Sequence, residues 1–337
     1  MRSLRAFAAA LLLCAGCGGA LLGPAPSDNY AALFDDVWRQ FDLHYAQFDL
    51  RRVNWDSVGA RYRPQALAAR SDAELAAVLG RMLGELRDVH VSLTPFGPGS
   101  TIRYVARFDT AATDFSADVV FERYVVLSAF TNERHLQYGW ATPTIGYIRI
   151  PSFSGAAWDG DADVALEALK GAESIIVDVR NNPGGNYTVA KSVAGRFADD
   201  SRTFGYLKLR NGPSRGDFTG YLPERVSPDG PRQFRGRVFV LANRRTVSAA
   251  ENFVLAMRAL PSVTVVGDTT AGASGGPIVR ELPNGWTFQL SEWVEFDAER
   301  RTFEGVGLAP DVAVRATALD AKRRTDAVLE RALGMAR

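Results

Sequence analysis

Hydrophobic positions recur with helical spacing at Leu33, Phe34, Val37, Trp38, Phe41 and Tyr45, behind Ser27 and Asp28 as candidate N-caps. A second helical pattern runs from about Asp72 to Leu86 through Leu75, Val78, Leu79, Met82 and Leu83. Between them, Val53-Asn54-Trp55-Asp56 reads as a turn leading into a short helix. Residues 28–93 therefore form a small helical domain in this reading. From Thr94 the spacing changes. Gly97-Pro98-Gly99 punctuates the chain, and Ile102-Arg103-Tyr104-Val105 and Tyr124-Val125-Val126-Leu127 favour strands, so residues 94–140 read as a short β-rich segment. Beyond residue 141 strand-like and helical runs alternate. Ile145–Ile150, Ser174–Val179, Val238–Ala242 and Val263–Val266 read as strands, and Trp158–Lys170, Tyr187–Ala198 and Ala249–Leu260 as helices. Repeated β-α-β units with apolar strands predict an α/β core over residues 141–337.

Composition narrows the function classes. Of 337 residues, 47% are hydrophobic and 23% charged, which excludes extended disorder. Basic and acidic residues number 39 and 38, so there is no electrostatic case for a nucleic-acid partner. Both cysteines, Cys14 and Cys17, fall at the start of the chain. A basic Met1–Arg5, an apolar Ala6–Ala15 and the small residues Gly16-Cys17-Gly18-Gly19 describe an export signal, too short to span a bilayer permanently. Ala15-Gly16-Cys17 resembles a bacterial lipobox, with Cys14 where leucine is usual. The expectation is a lipoprotein signal peptide over residues 1–16 and a Gly/Ala/Pro-rich tether over 17–27. Cys17 then carries the lipid that holds the protein on a bacterial membrane, facing the periplasm or cell exterior. The mature chain has no free thiol, which removes thiol catalysis and cysteine-based metal sites. The few, scattered histidines offer no metal site, and no cofactor is expected.

Three stretches carry candidate chemistry. Asp178-Val179-Arg180-Asn181-Asn182-Pro183-Gly184-Gly185-Asn186 joins a buried strand to a helix. Adjacent glycines beside a helix N-terminus can form half of an oxyanion hole, hold a phosphate, or simply make a tight turn. Neither G-x-x-x-x-G-K-[ST] nor G-x-G-x-x-G spacing is present. Thr246-Val247-Ser248-Ala249-Ala250-Glu251 follows another buried strand. Ser248 with Glu251 fits a capping box, and the same position puts the hydroxyl at the carboxyl edge of a sheet, so cap and nucleophile are compatible roles. A serine nucleophile needs a base. Of His44, His90 and His135, the first has the spacing of a structural residue and the last sits in a charged, solvated stretch; His90 lies where the helical domain meets the rest.

Taken together, these residues resemble the S41 serine peptidases, which include tail-specific and tricorn-type proteases. The landmarks are Leu86–His90, Gly146–Phe153, Asp178–Asn186, Thr246–Glu251, Gly267–Gly272 and Glu304–Asp311, in that order. The resemblance implies a ClpP/crotonase-like α/β core. Tail-specific members place a lysine base 25 residues after the nucleophile; here that residue is Ala273, and Lys170, Lys191, Lys208 and Lys322 all lie elsewhere. The tricorn-like branch uses a histidine and a glutamate, matched by His90 and Glu304, although Val89 stands where a serine often precedes the histidine. By resemblance, Ser248 attacks the scissile carbonyl and His90 moves the proton. Glu304 completes the charge system directly or through another polar side chain. N–H groups of Gly184 or Gly185 with Ala249 hold the oxyanion. About 48 residues separate the helical part from the core, fewer than a PDZ domain needs, so recognition of a free C-terminus is not expected. The substrate class is a peptide or protein. The sequence carries no signal for oligomeric state. The competing reading is a non-catalytic ligand-binding lipoprotein on the same scaffold, as in the retinoid-binding proteins of the eye. A crotonase-type acyl-CoA enzyme is disfavoured by export and by the Thr246–Glu251 segment.

Overall fold

The computed structural model describes residues 29–106, 115–131, 135–156, 158 and 160–337. The expected signal, Cys17, the tether and the caps Ser27 and Asp28 lie outside the described residues. Helix α1 (Tyr30–His44) is capped instead by Asn29, whose side chain accepts from the Ala32 N–H. After the single turn α2 (Phe48–Arg51) comes α3 (Trp55–Leu67), capped by Asn54 and longer than the short helix expected. Trp55 explains its stability: it is fully buried against Phe41 and Phe48. Helix α4 (Asp72–Gly84) begins at the cap Ser71. Strands β1 (Ser92–Thr94) and β2 (Ile102–Arg103) follow.

The next stretch holds an element the pattern did not predict, α5 (Ala117–Arg123), capped by Ser116; Tyr124 ends that helix and the strand starts only at Val126. Then come β3 (Val126–Phe130), β4 (Gln137–Thr142), β5 (Ile145–Arg149), α6 (Asp161–Ala168), β6 (Ser174–Asp178) and α7 (Tyr187–Gly195). They are followed by β7 (Arg202–Leu209), β8 (Leu222–Val226), β9 (Arg237–Ala242), α8 (Ala249–Arg258) and β10 (Val263–Gly267). The chain closes with β11 (Pro277–Glu281), β12 (Thr287–Ser291), β13 (Trp293–Asp297), β14 (Val312–Ala313), α9 (Ala318–Arg323) and α10 (Ala327–Ala336).

The central sheet has the order β14-β10-β9-β6-β5-β4-β3. Strands β5, β6, β9, β10 and β14 are parallel, and β4 and β3 complete one edge in antiparallel fashion. Period-two alternation divides its strands between two cores. Ile175, Val177, Val238 and Val240 face α6, α7 and α8, whereas Ile176, Phe239 and Leu241 face α10 and the Val120 side of α5. A third core joins α1, α3 and α4 to Leu93 of β1 and to Phe288 and Leu290 of β12. The helical part is thus covered by the sheet β11-β12-β1-β2, most of which comes from the far end of the sequence. A smaller sheet, β13-β7-β8, lies beside α8.

Candidate active site

Strand β6 ends at Asp178, and the next residues are locked before the glycines begin. Arg180 is buried between Asp178 and Asp326, at 2.6 and 2.8 Å, and stacks over the Phe115 ring. Asp326 also caps α10. The turn then passes through two left-handed glycines, Gly184 at φ 95° and Gly185 at φ 134°. Both are required by close approach: a Cβ on Gly184 would lie 2.8 Å from Ser248 Cβ, and one on Gly185 would strike the Phe153 backbone. The Gly184 N–H is taken by Asn182 Oδ1 at 2.8 Å.

Opposite this turn, β9 runs into Asn243–Val247. Thr246 Oγ1 donates to the Val179 carbonyl and the Val247 N–H to the Asn182 carbonyl, which ties the two strand-to-helix turns together. Ser248 then sits at φ 56°, ψ −124°, a conformation that L-residues rarely adopt, at the N-terminus of α8. The capping box forms, with Glu251 Oε2 accepting the Ser248 N–H at 3.1 Å. The same buried carboxylate accepts from Thr270 Oγ1 and from the N–H groups of Gly272 and Ala273. Ala273 in turn accepts the Ser248 N–H at its carbonyl. Glu251 therefore fixes the 270–273 strip against Ser248. Among the described residues Lys191 pairs with Glu224, and Ala273, the position 25 residues after Ser248, is buried.

His90 arrives from the helical side. Two residues earlier, fully buried Asp88 accepts the His90 N–H at 2.8 Å, and its Oδ1 lies 3.7 Å from His90 Nδ1, which has no hydrogen-bond partner among the described residues. Asp88 Oδ2 accepts from Tyr45 and Ser291. Arg51 reaches between Asp88, at 3.8 Å, and Glu304, with which it makes a tight ion pair. Glu304 Oε2 accepts from both the N–H and the hydroxyl of Ser274. The Ser274 backbone in turn meets the His90 ring. Burial pushes His90 below its usual value, helped by Arg51 and opposed by Asp88 and the Ser274 backbone. Burial and the neighbouring Asp88 push Glu304 up to about 8, against the pull of Arg51 and Ser274.

The expected residues thus converge on one strip: Gly184 touches Ser248, Ser248 bonds Ala273, and the adjoining Ser274 touches both His90 and Glu304. Among the described residues no hydrogen bond joins His90 directly to Ser248 or to Glu304. Sequence reasoning missed Asp88, Arg51, Tyr45, Ser274 and Ser291. Asp88 alone had a signal, an Asp-x-His spacing in which the carboxylate can accept the histidine's own N–H. His135 departs from its expectation. It is buried, stacks on Trp158 and bonds Asp161, the first residue of α6, at 2.5 Å. His44 closes α1, as a structural residue.

Comparison with known proteins bears on the family and the fold. Residues 144–314 match the model of peptidase family S41, and residues 26–84 match the tricorn protease C1 domain. The carboxy-terminal processing protease CtpA of Bacillus subtilis is 30% identical over 159 residues; the match spans 46% of this chain and 32% of that protein. A crystal structure of a candidate peptidase from Parabacteroides merdae superposes with a TM-score of 0.80 at 31% identity, covering 92% of this chain and 97% of the other. Mature CPAF complexed with lactacystin shares the fold, with a TM-score of 0.69 at 12% identity over 91% and 97% of the two chains. On the strength of the family match and of the Parabacteroides relative, the chain belongs to peptidase family S41.

Proposed function

We propose that the protein is an exported, lipid-anchored serine endopeptidase acting on peptides or proteins, with Ser248 as nucleophile and His90 as base. The observation that carries this reading is the backbone of Ser248, held at φ 56°, ψ −124° on a strand-to-helix turn and pressed against Gly184. A nucleophile is presented on such a strained turn because its hydroxyl then clears the sheet and meets backbone donors.

In this mechanism Ser248 attacks the scissile carbonyl while His90 takes its proton. The N–H groups of Ala249 and Gly185 receive the oxyanion; Gly185 is favoured over Gly184 because Asn182 already engages the Gly184 N–H. His90 then returns the proton to the leaving amine, and a water, activated the same way, releases the acyl group. Glu304 acts through Ser274, which it grips at two atoms, and so holds the strip against which the His90 ring rests. Asp88 is the carboxylate that orients His90, by its grip on the N–H and its place beside Nδ1. The lowered pKa leaves His90 neutral, as a base must be. Cys17 carries the lipid anchor in this reading.

A fluorophosphonate probe tests the core of the reading. Labelling of wild type but not of Ser248→Ala supports the peptidase. Absent labelling, or equal labelling of both, supports a binding protein on the same scaffold.

A further inference from the structure

A cleft of about 410 Å³ opens beside the proposed catalytic residues, between Val89 on the His90 side and Ala273 on the Ser248 side. Its lining includes three arginines, Arg51, Arg87 and Arg244, and no acidic side chain among the described residues. Two of the guanidiniums are spoken for: Arg51 by Glu304 and Asp88, and Arg244 by Asp268 at 2.9 Å. Arg87 is exposed, and among the described residues its side chain has no hydrogen-bond or ion-pair partner.

Its backbone sharpens the point. Arg87 sits just beyond α4 at φ 52°, a left-handed position that glycine fills without strain and arginine does not. Its carbonyl is pinned by Arg51 Nη1 at 3.0 Å, so the root of the side chain is fixed three residues from His90. A planar, permanently charged fork with no partner among the described residues, at the wall of a cleft whose described lining holds no acid, is built for a carboxylate.

We infer that Arg87 selects peptides bearing a carboxylate next to the scissile bond. This rests on the peptidase reading for its biological meaning, but it is a statement about binding and is tested without turnover. Degenerate peptide libraries, one with free C-termini and one amidated, are passed over immobilised Ser248→Ala and Ser248→Ala/Arg87→Gln proteins, and the retained peptides are sequenced. Ser248→Ala should enrich carboxylate-bearing peptides about ten-fold or more, the scale of charge-assisted hydrogen bonds. Arg87→Gln should abolish the enrichment, and Arg87→Glu in the same background should turn it toward lysine and arginine. Asp and Glu enriched in both libraries identify a side-chain carboxylate; enrichment of the free-acid library alone identifies the chain terminus. Either result supports the inference. Retention without carboxylate preference, or a preference unchanged by Arg87→Gln, overturns it. If Arg87→Gln fails to fold, as judged by its melting curve, the charge-keeping Arg87→Lys and the salt dependence decide. A preference that ignores both removes Arg87 from the site. Failure of the peptidase reading shows separately, as absence of Ser248 labelling in wild type.

Discussion

Two buried carboxylates share one guanidinium beside His90, and burial of this cluster shifts both His90 and Glu304. With its pKa held down by burial, the His90 imidazole stays neutral somewhat below pH 6.5. The acidic limb of kcat/KM should therefore lie below that value, and Asp88→Asn should move it lower still, because Asp88 favours the imidazolium more than the Ser274 backbone does. The same variant should cut kcat on the order of 10²- to 10⁴-fold, as expected when an orienting carboxylate is lost. A limb that stays in place argues against Asp88 as the positioning group. Glu304 runs the other way. Its folded pKa, about 8, stands above the ordinary 4.5, so its contribution to stability is full below pH 4.5 and is lost as pH rises toward 8. Wild type should lose stability relative to Glu304→Gln across that window, by at most about 1.4 kcal/mol per pH unit. Thermal melts at several pH values check this, and parallel curves would contradict it.

Two strand-to-helix turns make the seat of Ser248, the proposed nucleophile, and each fails in its own way. Gly184→Ala places a methyl group against Ser248 Cβ and the Val247 carbonyl at a φ of 95°, so it should remove probe labelling while the protein remains folded by circular dichroism. Arg180→Ala leaves Asp178 and Asp326 buried without their cation. It should destabilise by about 3–5 kcal/mol in denaturant unfolding, and a loss below about 1 kcal/mol would refute the locking role. The elements carrying these turns were legible in the sequence because β6 and β9 are near-continuous apolar runs and α8 is apolar on most of its surface. Ser248, His90 and the glycine pair could be nominated for the same reason, since each sits at the end of a readable element. Arg51 could not: it lies on a single-turn helix with no periodicity, and its partners are more than thirty residues away. Helix α5 hid because seven residues mixing Val, Phe and charge fit a strand as readily as a helix.

On the scale of the whole molecule, the helical region supplies Arg51, Asp88 and His90, while the α/β core supplies Ser248, Ser274 and Glu304, each backed by its own hydrophobic cluster. Pairing of β1 with β12 and the reach of Gln47 to the Ser274 carbonyl hold the two together. No helix of the described residues is long and apolar enough to cross a membrane. If Cys17 is the anchor, wild type should partition into detergent, and a Cys17→Ala chain freed of its signal should stay in the aqueous phase. Membrane retention of that variant would exclude lipidation at this residue. The ion pair between Arg51 and Glu304 has a further meaning in time. A nascent chain emerges N-terminus first. The guanidinium on the histidine side of the site waits for Glu304, and the glycine turn waits for Asp326 of α10, both late in the chain. A chain released after residue 303 should thus take no probe although it contains Ser248 and His90, and a nick that removes the Asp326 segment should abolish labelling again.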